Sequence, residues 1–327
     1  MIGFLHIQIH LRLFQLEELK GADRNELQTQ VDLLLFQAYP RESIFYLGMS
    51  HTQTCIAAHP HTSIPMPAIQ AVSTNSIIFS QVPSIESVLS KLTSLINDES
   101  SWPESSPHTK VQVNGVISNT VLPYLRSRFP ASNPPKVLPS ATPAILSTWA
   151  QASCTMTSNL PVDSLFPLVD MWRLAFLDPS VGSWTASLAP TSPASDPVSV
   201  FLPKAIAAQD TPTKGARNYI LTVLRLLCNA FSSPPLARRL LQADARQNVT
   251  AVLVPSLLHA DVVVRTASAS LAFDIAAVLQ RERVECVRTG KGIQPDSEGD
   301  LGDWQVEVVT AILEALDREK ENEEVGE

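Results

Sequence analysis

The stretch NYILTVLRLLCNAFSSPPLARRLL, Asn218 to Leu241, decides the fold. It reads as a strongly apolar helix ending near Phe231, a Ser-Ser-Pro-Pro break, and a second apolar start with two adjacent arginines. Proline stops one helix and suits the first turn of the next, where its missing N–H costs no hydrogen bond. Nothing in the stretch has catalytic chemistry. It is therefore core, the wall of a binding groove, or both.

The helical texture continues on both sides. Residues 216–231 form one long helix, Pro234 or Pro235 starts another, and 247–258 a third. Residues 261–281 make a nearly all-apolar helix with small residues, Ala267, Ala269 and Ala272, on one side. The last helix, DWQVEVVTAILEALDRE, keeps Val306, Val309, Ile312, Leu313 and Leu316 in register. Upstream, PSIESVLSKLTSLIND places Ile85, Val88, Leu89, Leu92, Leu95 and Ile96 on one stripe with Ser84 near its start. VQVNGVISNTVLPYLRSRF follows, bent at Pro123. TPAILSTWAQASCTMTS, VDSLFPLVDMWRLAFLD and TSPASDPVSVFLPKAIAAQ supply three more helices. The unit LLHADVVVRTASASLAFDIAAVL has a tight turn at His259-Ala-Asp261 and the pattern of a HEAT or armadillo repeat. Such units bury their apolar faces only by stacking. No strict repeat aligns across the whole chain. The fold class is all-α: an armadillo/HEAT-like α-solenoid.

The N-terminus differs. Phe4, Leu5, Ile7, Ile9, Leu11 and Leu13 alternate as in a strand. An amphipathic helix follows, with Asp23 as N-cap and Glu26 closing a capping box. Residues 41–58 have no clear period, and Pro40 would join His59 naturally without them. They are either an insertion from a faulty gene model or a genuine loop. Residues 59–80 carry Pro, Ser and Thr in a linker-like pattern. The organisation is 1–39, a short α/β module; 40–82, linker or insertion; and 83–327, the helical array.

The totals agree. The 327 residues include 25 Pro, 11 Gly and 6% aromatics, which suits helices with Pro-rich joints rather than a β-sandwich. A net charge of −8 argues against general nucleic-acid binding. Cys55, Cys154, Cys228 and Cys286 are far apart and form no Cys-x-x-Cys, so neither a redox pair nor a zinc knuckle is readable. Their usage fits a reducing compartment. No apolar run in the sequence approaches the ~20 residues of a membrane span, and the start is a poor signal peptide. The expected setting is cytoplasmic, with the nucleus as a second compartment, and without a membrane or nucleic-acid partner.

His59-Pro-His61 offers two ligands where zinc needs three or four, and reads as solvated linker. No nucleophile elbow, Walker loop or dinucleotide fingerprint occurs. The expectation is no enzyme, no cofactor and no metal. From Lys204 to Lys291 there are 12 Lys/Arg against 6 Asp/Glu, and from Gly292 onward 2 against 12. An acidic chain thus contains a basic segment and an acidic tail.

Tyr219-Ile-Leu-Thr-Val-Leu-Arg225-Leu-Leu-Cys-Asn229-Ala-Phe231 resembles the Leu-Arg-x-x-x-Asn-x-Phe helix of the PUL domain, the ubiquitin-pathway module named after the phospholipase-activating protein. The helix from Arg265 to Leu279 is similar to the one that follows it there, and Pro167-Leu-Val-Asp170-Met-Trp172-Arg173-Leu agrees with another family region. The resemblance implies a groove that binds the C-terminal tail of a valosin-containing-protein-type AAA ATPase. The N-terminal module resembles the end of a thioredoxin fold, as in fungal proteins that join a PPPDE peptidase-like module, a thioredoxin-like module and a PUL domain. Relative to them this sequence lacks the peptidase module and the thioredoxin Cys-x-x-Cys. It also stops at ENEEVGE, where another helix or two is expected. The alternative function is a redox-inactive thioredoxin-like protein or subunit with a helical scaffold.

For the groove, Arg225 and Asn229 are four apart on one helix face. An Asn carboxamide can clamp a peptide backbone as donor and acceptor, and Arg225 one turn back suits a carboxylate. They are expected on the concave side, with Arg217, Arg238 and Arg239 near its rim. Leu221, Leu224, Leu227 and Cys228 are expected in the core. Arg265 is expected to bond the neighbouring turn.

Overall fold

The computed structural model describes residues 75–98, 102, 107–130, 138–188, 196–290 and 300–325. The strand and helix expected within 1–39, the segment 41–58 and His59-Pro-His61 lie outside the described residues. Val72–Glu327 forms one compact unit. Among the described residues every regular element is helical and there is no strand.

The helices are α1 Ile85–Asn97, α2 Pro107–Val116, α3 Leu122–Arg128, α4 Pro143–Asn159, α5 Phe166–Ala175, α6 Pro179–Ser187, α7 Pro197–Ala208, α8 Lys214–Phe231, α9 Pro234–Leu240, α10 Ala243–Leu257, α11 Val262–Arg288 and α12 Asp300–Val325. Ser, Thr and Asp start them where the sequence implies. Ser84 caps α1, Thr142 caps α4 and Thr213 caps α8, each accepting a backbone N–H of the first turn. Seven helices, α2 to α7 and α9, open with proline at their first or second position.

Two series of packed helices build the unit. In one, α1 packs on α5, α5 on α8 and α8 on α11. In the other, α2 packs on α4, α4 on α7, α7 on α10 and α10 on α12. The core lies between them. Trp149 of α4 stacks on Trp172 of α5 with ring centroids 4.0 Å apart, and the Trp172 indole N–H donates to Ser153 Oγ at 2.8 Å. Leu224, Leu227 and Cys228 are fully buried and Leu221 nearly so, as their spacing implies.

Several elements differ from the expected pattern. The bend expected at Pro123 is a π turn, Ile117–Val121, immediately before α3. In the wider turn the Leu122 N–H reaches back to Ile117 O, five residues earlier. The helix expected over 162–178 is a 3-10 turn, Val162–Ser164, followed by α5. The short helix α6 was not expected at all. Its Gly182 is a point of close approach, since a Cβ there would lie 2.5 Å from Ser233 Cβ. Helix α11 runs on to Arg288, so Val262–Cys286 is long and apolar enough to cross a membrane by length and composition, contrary to the sequence reading of apolar runs. Half of it is buried, and it packs against α8 and α10, which is the behaviour of a core helix.

Gly215, in the first turn of α8, gives a test of this packing. In a free helix alanine is favoured over glycine by about 1 kcal/mol. Here a Cβ would fall 2.5 Å from Asp163 Cβ and 2.7 Å from its Cα. Thr213 Oγ1 also donates to Asp163 at 2.6 Å, which holds that backbone in place. The steric term wins: Gly215→Ala is expected to destabilise by about 1–3 kcal/mol in a denaturant melt. A stabilised variant would contradict this account of the contact.

Candidate functional site

An extended segment, residues 75–82, crosses three helices of the first series. It reads Asn-Ser-Ile-Ile-Phe-Ser-Gln-Val and contains no helix or strand. Ile77 and Phe79 turn toward the helices and are half-buried, while Ile78 between them is 49% exposed. That alternation is the period of extended chain.

Each helix holds the segment by a side chain that reads backbone. On α11, Asp274 Oδ1 accepts the Ile77 N–H at 2.7 Å. On α8, Asn229 Oδ1 accepts the Phe79 N–H at 2.8 Å and Asn229 Nδ2 donates to Phe79 O at 3.2 Å. On α5, Arg173 donates from Nη1 to Phe79 O at 2.6 Å and from Nη2 to Gln81 O at 3.0 Å. The chain therefore runs against the helix order, from α11 to α8 to α5. The carboxamide of Asn229 grips the N–H and the C=O of one residue, Phe79, as acceptor and donor, the property that made Asn229 a candidate. Its Nδ2 also donates to Arg173 O at 2.9 Å, meeting a carbonyl near the end of α5. Asn229 is completely buried.

Arg225 lies one turn back on α8, half-buried, with its guanidinium carbon 5.4 Å from the Phe79 ring centroid. Its Nε is enclosed and makes no hydrogen bond. No carboxylate pairs with it among the described residues. Burial depresses its basicity, the charges of Arg173 and Arg217 add to that, and Asp170 opposes it. It is a cation short of an anion.

Arg217, two turns before Arg225 on the same helix, is paired with Asp261 at 2.7 Å. Arg238 and Arg239 are not brought to this place. They sit on α9 and, with Ala186, Leu188, Pro235 and Gln242, line a separate shallow pocket of about 370 Å³. Arg239 is tied to Asp196 at 2.5 Å and to Thr185 O. Arg265 bonds His259 O and Ala260 O at the neighbouring turn, as expected of it, and pairs with Glu319. Much of the basic excess of the segment is thus consumed in structural pairs. The sequence reading missed Arg173 and Asp274 as members of the site, and missed the segment itself. The apolar run Ile77-Ile78-Phe79 inside a polar linker was the available signal.

Asp274 is a buried acid. Burial raises its pKa from 3.8 to about 7, against the lowering by the Ile77 N–H, Cys228 and Arg281. Its Oδ2 is enclosed without a hydrogen bond, and the Cys228 thiol beside it is pushed well up, chiefly by burial and then by Asp274. Such a thiol is inert. Between about pH 4 and pH 7 the folded chain keeps a proton that the unfolded chain has lost, so stability falls as pH rises through that window. Asp274→Asn removes the proton and keeps an acceptor for Ile77. Melting measured from pH 5 to pH 8 is expected to fall less for Asp274→Asn, the difference reaching at most about 3 kcal/mol. Identical pH profiles would show that Asp274 does not titrate there.

Among the described residues no group of three or more His, Cys, Asp or Glu could hold a metal ion. The family model of the PUL domain matches residues 73–326, so the crossing segment falls inside the match. No curated protein matches the chain.

Proposed function

Because the chain belongs to the PUL-domain family, whose module serves protein–protein interaction, we propose that the face formed by α5, α8 and α11 docks the C-terminal tail of a valosin-containing-protein-type AAA ATPase. The helices then act as an armadillo-like solenoid without catalysis, in ubiquitin-linked protein turnover in the cytoplasm. One observation carries the reading: three successive helices present side chains that hold an extended backbone, and a cation without a carboxylate stands beside them.

The chemistry of an acidic tail fits both parts. Backbone clamping by Asn229 and Arg173 supplies affinity that does not depend on sequence. Arg225 supplies the selectivity for a carboxylate, which it can meet with two parallel hydrogen bonds. The site is partly dry, so that pair is screened less than one at an open surface.

The test is titration of a labelled ATPase-tail peptide against the wild type and Arg225→Ala, with melting curves alongside. Loss of the charge-assisted contact is expected to cost about 1.5–3 kcal/mol, or roughly tenfold to a hundredfold in affinity. Binding that is equally tight in the variant, at unchanged stability, would remove the tail from this face. A wild type that does not bind would remove the proposed partner.

A further inference from the structure

We infer that residues 75–82 are a displaceable internal ligand of the α5–α8–α11 face, and that a peptide bound in trans must be an extended, backbone-read segment that exchanges with them. The segment makes its contacts to Asp274, Asn229 and Arg173 through its own N–H and C=O groups, at Ile77, Phe79 and Gln81. Those groups belong to any extended peptide. The face therefore does not require this particular sequence, only this backbone conformation and a flat apolar group for Arg225 to cover.

The segment is also weakly held compared with what lies beneath it. Two of its side chains, Ile77 and Phe79, are half-buried, whereas Ile78 and Val82 are 49% and 42% exposed. It pairs with no strand among the described residues. The helices below pack on one another directly, α5 on α8 and α8 on α11. Segments with few buried apolar contacts open at far lower cost than core helices. Once open, the face keeps the Arg173–Asp170 pair and the Asn229 Nδ2 bond to Arg173 O, but Asn229 Oδ1, Asp274 Oδ1 and the two Arg173 Nη groups lose the backbone they hold, and another extended backbone is what satisfies them. A tethered segment competes at an effective concentration on the order of millimolar. An incoming ligand's apparent affinity is then reduced by the fraction of molecules whose face is free. The exchange with a tail peptide rests on the function proposed above. The exchange with the chain's own segment does not.

The experiment uses the full chain. A labelled NSIIFSQV peptide, the sequence of residues 75–82, is titrated against the wild type and Phe79→Ala. The variant removes the ring over Arg225 and weakens the internal ligand while leaving every clamping side chain in place. At least tenfold tighter binding to Phe79→Ala is expected. Equal binding to both proteins, or binding to neither, would overturn the inference. Should Phe79→Ala not fold, hydrogen exchange on the wild type decides instead. Saturating NSIIFSQV is expected to strip protection from the chain's own Ile77 and Phe79 amides while α8 and α11 stay protected, and unchanged protection would overturn the inference. The ATPase-tail peptide is run in the same exchange experiment. A tail that binds while those amides stay protected overturns the exchange and the backbone clamping of the tail, and leaves docking beside Arg225 standing. A tail that fails, with NSIIFSQV binding Phe79→Ala, removes the docking function and supports the exchange.

Discussion

Asn229→Ala is expected to lower the stability of the folded unit by about 2–4 kcal/mol, a fall of roughly 5–15 °C in melting temperature. The side chain is completely buried and makes three hydrogen bonds, to Phe79 N–H, Phe79 O and Arg173 O. Leaving a buried polar group without a partner costs about 1–3 kcal/mol. Phe79 O keeps its bond from Arg173, and the Phe79 N–H can recover water if the segment lets go. Arg173 O has no such escape, because it lies near the end of α5 beneath α8. The loss therefore exceeds a single bond but falls short of three. Hydrogen exchange separates the two parts: the amides of Ile77 and Phe79 should lose protection in Asn229→Ala well before those of α8. A melt within 1 °C of the wild type would mean that Asn229 is not the clamp described here.

Trp172→Ala is expected to cost more, about 3–5 kcal/mol, or roughly 6–20 °C. Trp172 is fully buried, stacks on Trp149, lies 6.2 Å from Phe176, and gives its N–H to Ser153. Its stack joins α4 to α5 and so ties the two series of helices together. The cavity left by alanine spans that joint. Trp172→Phe keeps most of the ring contact and loses one hydrogen bond, so it should cost only about 1–2 kcal/mol. Because Arg173 is the next residue on α5, Trp172→Ala is expected to weaken the hold on Phe79 and Gln81 as well. Equal costs for Phe and Ala would point to the hydrogen bond rather than the stack.

The helical architecture was legible because its signal is local. Apolar residues at 3.6 spacing from Tyr219 to Phe231, and prolines at 143 and 234, mark helix bodies and starts within a few residues. Helix α6 was not legible because it is short and its apolar pattern is weak, and because Gly182, which looks like a breaker, is there to let α9 approach. The candidate site was half legible. Asn229 and Arg225 stood out by residue type and spacing. Arg217 and Arg239 looked equally available, but their partners Asp261 and Asp196 are more than forty positions away and no periodicity shows such pairing. The occupant of the clamp was hidden for the same reason, since Phe79 meets Asn229 across 150 positions.

The most direct measurement is a double-mutant cycle on the carboxylate of the docked tail. The ATPase-tail peptide is made with a free C-terminal carboxylate and with a C-terminal amide, and each is titrated against the wild type and Arg225→Ala. The expected result is a coupling of at least about 1 kcal/mol, with the amide weakening binding to the wild type and leaving binding to Arg225→Ala nearly unchanged. Additive effects of the two changes would contradict the assignment of Arg225 as the carboxylate's partner on this face.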